Sequence, residues 1–373
     1  MAQELNRSTY LSRNTGDYPA EFTIGPVRFV KVDDLRYGTN PHQSAAYYKI
    51  AGAESVIGDM EILKNGKNGL SQTNLEDISY ALNIVKFFHI PACAVMKHVN
   101  PSGAAVRRDG ESLKSVYIKA RDADARAAFG SVIAFNTELD ADTAHEIMGS
   151  FVECVVAPSY APGVLDIFND GETYKLNKHV RVVKCGDPAK LPRFTGEPGL
   201  ERYNTLKVLA DGSLVVAAPL TTALRSTADL KRAAGESAKY GNHVSSAPVT
   251  ESQLADLLFA WYVNLSVRSN GVVIAKHGQT LSVGTGEQDR VGAIEQAIAK
   301  FEQKYQGAGT LAGSVMASDG FFPFADGLET AAKAGVTAVI APAGSLRDAE
   351  VVARANELGV ALFHAPERIF SHH

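Results

Sequence analysis

The sequence is poor in the residues that mark disulfide-rich, zinc-binding or membrane-spanning proteins. Only three cysteines occur in 373 residues, at Cys93, Cys154 and Cys185. Their number is odd and their spacing is wide, which argues against a disulfide framework and against paired Cys-x-x-Cys zinc sites. Free cysteines usually behave as small buried apolar side chains, and we expect that role for these three. A reducing compartment is indicated.

Long apolar runs and a strong excess of one charge are also missing. Charged residues make up 21% and apolar residues 45% of the chain, and no run of about 18 apolar residues predicts a transmembrane helix. The net charge is −4, so no overall attraction to nucleic acid or to an anionic membrane is available. Residues 1–17 lack the basic-then-apolar order of a secretory signal. These absences predict a cytoplasmic protein that meets anionic ligands with a few placed cations.

What the sequence contains is an alternation of helical and strand-like segments. In the first half, helical spacing predicts helices at 75–88, 114–128 and 140–152, and short apolar runs predict strands at 92–96, 130–135 and 154–157. A Pro-, Gly- and Ser-rich stretch at 186–250 contains one predicted strand, 213–218, and is interpreted as a connecting region. This alternation is typical of an α/β layered fold.

The second half shows the same kind of alternation. Helices are predicted at 251–263, 291–305 and 348–358, with 331–333 inside another, and strands at 271–276, 338–341 and 361–364. The two halves therefore share an architecture, although no residue-level repeat is evident from the sequence.

Lys97 and His98 stand where a predicted strand leaves its sheet, before the turn-forming run Asn100-Pro101-Ser102-Gly103. Ligand sites gather at strand ends in α/β sheets, and this one offers a cation, a titratable imidazole and an amide. Taken alone, a Lys-His pair on a turn is more often solvated surface. A second polar cluster begins at Arg36-Tyr37, where a guanidinium and a ring suit a phosphate and a ligand face; a helix-to-loop cap is the alternative.

Two segments of the second half add to the candidate chemistry. Gly284-Thr285-Gly286, followed by Arg290, is a strand-to-helix turn that could face an anion, but it lacks the third glycine of a dinucleotide fingerprint and the Gly-Lys-Ser/Thr of a phosphate loop. The run 319–327 places three phenylalanines and a proline between two carboxylates. A flat heterocycle such as a pterin would stack on the rings and donate N–H groups to Asp326.

Together and in this order, these segments resemble the AICAR transformylase family, whose members usually also carry an IMP cyclohydrolase domain. The resemblance runs from about Asp34 to His372. It rests on Leu35-Arg36-Tyr37-Gly38-Thr39-Asn40-Pro41-His42-Gln43, Lys97-His98-Val99-Asn100-Pro101-Ser102-Gly103, Phe129-Gly130, Phe151-Val152-Glu153, Arg268-Ser269-Asn270, Gly284-Thr285-Gly286, Ala317-Ser318-Asp319-Gly320-Phe321-Phe322-Pro323-Phe324-Ala325-Asp326 and Arg368-Ile369-Phe370-Ser371-His372. Several ordered motifs are far more specific than any one of them.

The resemblance implies two tandem cytidine-deaminase-like α/β/α units with connecting helices, here at 34–190 and 251–373, with an extension at 1–33 and a connecting region at 191–250. It also implies a homodimer with active sites at the subunit interface. The implied reaction moves the formyl group of 10-formyltetrahydrofolate to the 5-amino group of AICAR, giving FAICAR and tetrahydrofolate. A potassium ion near the active site occurs in the family.

The family's functional residues carry over onto matching positions of this sequence. Lys97, His98 and Asn270 match the catalytic residues. The substrate-binding positions are Arg36, Tyr37, Gly130, Glu153, Phe321 and Arg368, and the folate-binding positions are Asp326, Ala341, Pro342, Val291 and Arg126. A tightly bound metal is not expected.

The sequence departs from the family pattern at several points. Ser131 replaces a second glycine, Glu287 and Asp289 replace an amide and a hydroxyl, Arg268 replaces a lysine, and Ser102 stands where many members have cysteine. About thirty residues precede Asp34, too few for a cyclohydrolase domain, so a stand-alone transformylase with a separate cyclohydrolase is expected.

Three other functions compete with formyl transfer to AICAR. A zinc nucleoside deaminase would need a Cys-x-x-Cys pair that the sequence lacks. A non-catalytic ribotide-binding regulator would not need Lys97, His98, Asn270 and Asp326 together. A transferase for a related aminoimidazole, or with another formyl donor, is left open by the changes at Ser131 and Glu287.

Overall fold

The computed structural model describes residues 13–66, 68–307 and 309–372, so the first part of the predicted 1–33 extension lies outside the described residues. The chain divides into two units. The first unit comprises Met1–Val99, Gly110–Ile118 and Ala125–Leu191, and the second comprises Asn100–Asp109, Lys119–Asp124 and Pro192–His373. All of the predicted connecting region 191–250 except Leu191 thus belongs to the second unit.

Strands and helices are numbered here in chain order. The strands are β1 (Glu21–Ile24), β2 (Val27–Asp34), β3 (Ala46–Ile50), β4 (Glu61–Lys64), β5 (Ala92–Lys97), β6 (Asn100–Val106), β7 (Ser131–Phe135), β8 (Val152–Ala157), β9 (Arg181–Lys184), β10 (Thr205–Val208), β11 (Leu214–Ala217), β12 (Lys231–Arg232), β13 (Ala234–Ser237), β14 (Gly241–Val244), β15 (Val272–Lys276), β16 (Gln279–Gly284), β17 (Ser314–Ser318), β18 (Val336–Pro342) and β19 (Ala361–Ala365). The helices are α1 (Gln72–Val85), α2 (Leu113–Asp122), α3 (Ala125–Ala128), α4 (Ala141–Met148), α5 (Val164–Asn169), α6 (Glu251–Asn264), α7 (Arg290–Tyr305), α8 (Asp326–Lys333) and α9 (Asp348–Glu357).

The main sheet of the first unit is mixed, with the order β5-β7-β8-β9-β4. Strands β7, β8 and β9 run parallel, while β5 and β4 are antiparallel to their neighbours. Every residue of β7 is buried, which is typical of a central strand covered on both faces. A separate antiparallel sheet has the order β1-β2-β3.

The second unit contains the sheet β12-β19-β18-β17-β15-β16-β6. Strands β17, β18 and β19 are parallel, and β15 and β16 continue the sheet in antiparallel fashion. Helices α7, α8 and α9 contribute to a hydrophobic core that also includes Ile274, Met316 and Val339. Both units are therefore mixed α/β structures, as the alternating pattern predicts.

Local sequence explains where the helices start. Helix α1 begins after Ser71, whose hydroxyl accepts from Asn74 N while the Asn74 side chain accepts from Ser71 N, and α6 begins after Thr250 with the same reciprocal bonds to Gln253. Such capping boxes satisfy backbone donors that a helix N-terminus otherwise leaves unpaired. Asp140 caps α4 in a related way.

Three sequence-based predictions about local structure are wrong. Residues 100–103 are not a turn, because they begin strand β6; the chain reverses instead at His98 and Val99, whose φ angles are 53° and 62°. The helix predicted at 114–128 is interrupted between α2 and α3. The helix predicted at 140–152 ends at Met148, because Gly149 caps it and Val152 already opens β8.

The cysteine prediction is confirmed, since Cys93, Cys154 and Cys185 are all buried with free thiols. Burial raises the pKa of the Cys93 thiol, and it raises the pKa of Cys154 and of Cys185 to about 12. In the described part of the chain, no helix has the length and apolar character needed to cross a membrane.

Candidate functional site

Lys97 is the last residue of β5, and its ammonium group is held by backbone carbonyls at the entrance to β7. Nζ donates to Gly130 O at 2.7 Å and to Phe129 O at 3.2 Å. Strand β5 pairs antiparallel with β7, which brings the carboxyl end of one beside the amino end of the other. Lys97 and Gly130, both predicted as site residues, are therefore in direct contact.

Gly130 has a conformation and surroundings that favour glycine. Its φ is +72°, and a Cβ at this position would lie 3.0 Å from Lys97 Nζ and 3.1 Å from the Phe151 ring. Its N–H donates to Phe151 O at 2.8 Å. Ser131, where the family pattern has a second glycine, is the buried first residue of β7. The close approach to Lys97 therefore depends on Gly130 and tolerates a side chain at Ser131.

His98 lies in a tight turn whose backbone N–H groups donate to a buried carboxylate. Its imidazole is exposed, and both His98 and Val99 have left-handed backbone angles. Asp77 of α1 accepts from Val99 N at 2.6 Å and also from the backbone N–H of His98. Burial raises the pKa of Asp77 to about 6, although both backbone bonds act in the opposite direction. Perturbed carboxylates of this kind concentrate at functional sites.

Glu153, the second residue of β8, is oriented by an amide from α1. Asn74 Nδ2 donates to Glu153 Oε2 at 3.0 Å, and Asn74 Oδ1 accepts from Ser71 N at 3.2 Å. Asn74 is only 3% exposed, so these two bonds fix which way the amide points. The Asn74 side chain thus takes part in the cap of α1 and also orients Glu153, the predicted substrate-binding carboxylate.

Arg36 and Tyr37 form a compact pair at the N-terminus of α1. Arg36 Nη2 donates to Tyr37 Oη at 2.9 Å, and its guanidinium carbon lies 4.5 Å from the centre of the Tyr37 ring. Burial and the neighbouring Arg181 lower the pKa of Arg36, while Tyr37 and Glu153 oppose that change. Arg36 Nε is buried and has no hydrogen-bond acceptor among the described residues. Two guanidinium groups against one carboxylate favour an anionic ligand.

The candidate residues of the first unit share one edge of its sheet. Gly130 precedes β7, Glu153 is near the start of β8, and Arg181 starts β9 opposite Cys154. Lys97 is at the end of β5, which is antiparallel to β7. The cluster therefore lies at the amino ends of three parallel strands, and the N-terminus of α1 adds a site of positive potential there.

The candidate residues of the second unit also share one edge, but it is formed by the carboxyl ends of the parallel strands. Phe321 follows β17, Ala341 and Pro342 end β18, and Arg368 follows β19. Because Val272 at the start of β15 lies opposite Ser318, Asn270 belongs to the same edge. Ligands of open α/β sheets commonly bind at such an edge.

Asn270 is held next to a buried ion pair. Its Nδ2 donates to Glu287 O at 2.9 Å, and the following residue, Gly271, donates its N–H to Asp319 Oδ2 at 2.8 Å. Asp319 is 0% exposed and pairs with Arg290, which is 7% exposed. Arg290 is thus neutralised inside the protein, so the sequence-based suggestion that it helps to hold an anion at the start of α7 lacks support.

The two carboxylates that depart from the family pattern have local structural partners. Asp289 caps α7, with Oδ1 accepting from Gly292 N at 2.7 Å, and Glu287 Oε1 accepts from Gln296 Nε2 at 2.8 Å. Asp and Ser are about equally good helix N-caps. The exchange at position 289 therefore conserves the start of the helix.

Phe370 lies between two arginines. The guanidinium carbon of Arg368 is 4.4 Å from the ring centre and that of Arg290 is 5.8 Å from it. A Cβ on Gly320 would approach Phe370 to 2.6 Å and Arg290 to 2.7 Å, so glycine is needed for this close packing. Phe321, next in the chain, is 37% exposed, and its ring is available to a ligand.

The predicted folate-binding residues occupy strand ends and helix starts. Asp326 is the exposed first residue of α8, and its Oδ1 accepts from Gly327 N at 2.8 Å. Ala341 and Pro342 are buried at the end of β18, and Val291 is half-buried near the start of α7. Arg126 belongs to the first unit, where it is exposed on α3.

Comparison with known proteins identifies the family. A model of the AICARFT/IMPCHase bienzyme matches residues 4–300, which is most of the chain. The protein belongs to the AICARFT/IMPCHase bienzyme family. Homologues named bifunctional purine biosynthesis protein PurH are 41% identical over 95% of this chain in Xanthomonas campestris pv. campestris and 40% identical over 96% in Magnetococcus marinus.

The alignments cover only part of those homologues. The chain spans 60% of the Xanthomonas campestris protein and 62% of the Magnetococcus marinus protein. Both homologues are named as purine biosynthesis proteins. Among the described residues, no group of three or more His, Cys, Asp or Glu side chains could hold a metal ion.

The structure of this AICARFT/IMPCHase family member contains a residue-level repeat that the sequence analysis misses. Helices α1 and α6, Asp77 and Asp256, and the pairs Lys97-His98 and Lys276-His277 are all separated by 179 positions. Asp256 accepts from the backbone N–H groups of His277 and Gly278 at 2.8 Å and 2.7 Å. Lys276 Nζ donates to Ala312 O at 2.7 Å, just as Lys97 contacts carbonyls before β7.

The repeat does not extend to the charged residues around the first Lys-His pair. Gln253 is the counterpart of Asn74 in the repeat. It donates to the Thr337 hydroxyl at 2.8 Å, whereas Asn74 donates to the Glu153 carboxylate. Strand β9 starts with Arg181, whereas β19 starts with Ala361. The second Lys-His turn therefore keeps the scaffold without the carboxylate and the arginine.

Three supporting residues escaped the sequence analysis: Asp77, Asn74 and Arg181. Asp77 could have been found from the spacing, because Leu75-Glu76-Asp77 and Leu254-Ala255-Asp256 each stand at the same distance before a Lys-His pair. Asn74 and Arg181 carry no comparable signal, since their contacts join segments that are far apart in sequence.

Proposed function

We propose that the chain transfers the formyl group of 10-formyltetrahydrofolate to the 5-amino group of AICAR, giving FAICAR and tetrahydrofolate in the synthesis of IMP. The observation that carries this proposal is the Lys97-His98 turn of this AICARFT/IMPCHase family member. Asp77 accepts a hydrogen bond from the turn at Val99 N, and the Gly130 carbonyl accepts one from Lys97 Nζ. The chain spans about 60% of the length of its bifunctional homologues.

The chemistry asks for a base and for stabilisation of negative charge. The amine of the substrate is conjugated with its ring and carboxamide, so it is a weak nucleophile. We propose that His98, whose imidazole is exposed, takes the proton as nitrogen attacks the formyl carbon, directly or through the substrate's carboxamide. Lys97, held at the strand end, stabilises the oxyanion and protonates the departing N10.

The remaining groups of the first unit suit the ribotide. Arg36 has a buried donor that no described residue uses, and with Tyr37 it is proposed to hold the phosphate side of the substrate. Glu153, oriented by Asn74, and the Gly130 backbone are proposed to contact its ribose and carboxamide.

For the second unit, the proposal keeps Asn270 as the third catalytic residue and Phe321 and Arg368 as substrate-binding residues. Asp326 is proposed to accept hydrogen bonds from the pterin, with Ala341, Pro342 and Val291 as neighbours; Arg126 of the first unit completes the proposed folate set. A homodimer and a cytidine-deaminase-like fold for each half also belong to the proposal, and the α/β repeat supports the latter.

A turnover assay tests this function. Purified protein is mixed with AICAR and 10-formyltetrahydrofolate, tetrahydrofolate is followed by absorbance, and AICAR binding is measured by calorimetry. We expect turnover that falls about 100-fold in His98→Ala and stays near the wild-type rate in His277→Ala, the matched control. Ribotide binding without turnover would instead support a regulatory binding protein, and full turnover in His98→Ala would contradict the proposed base.

A further inference from the structure

We propose that Asp77 is a positioning residue for the formyl-transfer reaction: its carboxylate holds the His98-Val99 turn in the conformation that presents the imidazole. This inference rests on the proposed function. Asp77 does not contact the proposed reacting atoms. It acts through the hydrogen bonds that its carboxylate accepts from the backbone N–H groups of His98 and Val99.

The turn needs such support because of the residues it contains. Val99 has a φ of 62°, and left-handed angles are rare for β-branched side chains. His98, at 53°, is left-handed as well. Residues held in sparsely populated backbone regions persist where surrounding contacts fix them, and they cluster at active sites. Here the fixing contact is a carboxylate 2.6 Å from Val99 N.

Asp77 is itself well anchored and buried. It lies on α1 and is 4% exposed, and the same helix carries Asn74, which orients Glu153. One rigid element thus supports both the base and a substrate-binding carboxylate. Burial raises the pKa of Asp77, so the protein bears a cost for keeping a carboxylate at this position, which a simple packing role would not require.

The second half of the chain provides a comparison within the same molecule. Asp256 holds the His277-Gly278 turn through the same pair of backbone N–H groups, but the second position there is glycine, with a φ of 70° that costs little. Asp256 also pairs with Arg108 at 2.7 Å. Replacing Asp256 therefore perturbs an equivalent turn away from the proposed chemistry.

The test combines kinetics with amide hydrogen exchange in the intact chain. In Asp77→Asn, we expect kcat per folded molecule to fall by about 10- to 100-fold with the KM for AICAR changed less than threefold, because misplacing a catalytic group affects the chemical step most. We also expect exchange at the amides of His98 and Val99 to accelerate at least tenfold. Asp256→Asn should accelerate exchange at His277 and Gly278 while leaving kcat unchanged.

A second parent variant, Val99→Gly, allows the same test if Asp77→Asn folds poorly in the wild-type chain. Val99→Gly places glycine where the second half already has it, which relieves the left-handed strain. Adding Asp77→Asn to Val99→Gly should still lower kcat more than twofold relative to Val99→Gly alone, but by a smaller factor than in the wild-type chain, because glycine removes part of the strain that Asp77 opposes.

The outcomes separate this inference from the proposed function. Absence of formyl transfer by the wild-type chain would overturn the proposed function, while exchange at Val99 would still report whether Asp77 holds the turn. The inference is overturned if Asp77→Asn keeps kcat within twofold in both backgrounds, if exchange at Val99 is unchanged, or if Asp256→Asn lowers kcat equally.

Discussion

Gly130→Ala perturbs the contact between Lys97 and the entrance to β7 with a single methyl group. The new Cβ would stand 3.0 Å from Lys97 Nζ and 3.1 Å from the Phe151 ring, so the lysine has to move by a few tenths of an ångström or more. The left-handed φ of +72° adds about 1–2 kcal/mol of strain for alanine. We expect the free energy of unfolding to fall by about that amount and kcat to fall about 10- to 100-fold, since small displacements of catalytic groups are costly.

Gly313→Ala is the matched control for this variant. Gly313 has a φ of +75° and also precedes a parallel strand, but its Cβ would lie 3.8 Å from Lys276 Nζ, an ordinary contact. Both variants therefore carry similar backbone strain, whereas only Gly130→Ala displaces the proposed catalytic lysine. Urea denaturation and steady-state kinetics of the two variants separate the effects. The reasoning is refuted if Gly130→Ala keeps its kcat, or if Gly313→Ala loses as much.

Three further predictions follow from buried groups. The Asp77 pKa is raised from 3.8 to about 6, so the folded state binds this proton more tightly than the unfolded chain. The free energy of unfolding should therefore fall by up to about 3 kcal/mol as the pH rises from 4 to above 6. Urea melts of Asp77→Asn should lack this dependence on pH. Asp319→Ala leaves Arg290 buried and unpaired, which should cost about 3–5 kcal/mol in denaturant melts, and a loss below 1 kcal/mol would contradict this. The buried thiols of Cys93, Cys154 and Cys185 should react with a thiol reagent only as the protein unfolds, so rapid labelling at neutral pH would be inconsistent with the structure.

The sequence predicts the fold well where apolar periodicity is strong. Strands β5 and β18 and helices α6, α7 and α9 lie within a few residues of their predicted bounds, because each buries one continuous apolar face or run. It fails at the His98-Val99 turn, since the Pro and Gly of 100–103 suggest a turn, while the chain reverses one step earlier, where Val99 N donates to Asp77 of another element. Tertiary hydrogen bonds of that kind leave little local signal.

The residues of the candidate site also differ in whether a short sequence motif points to them. Lys97 and His98 are predicted from a short motif at a strand end, and Gly130 is predicted from the resemblance to the family. Asn74 and Arg181 are not, because their partners, Glu153 and the carbonyl of Gly69, are distant in sequence. The repeat is hidden for a related reason: the helix caps, the aspartates and the Lys-His pairs recur, while most intervening residues differ.

The most direct test of the account compares Lys97→Met with Lys276→Met in formyl transfer from 10-formyltetrahydrofolate to AICAR. Both lysines end a strand, and both donate to a backbone carbonyl at 2.7 Å, so each variant loses a lysine–carbonyl bond of that length. The account predicts that Lys97→Met lowers kcat by about 100-fold or more and that Lys276→Met leaves it near the wild-type value. Equal losses in the two variants, or an unchanged kcat in Lys97→Met, would contradict the assignment of the reaction to the Lys97-His98 turn.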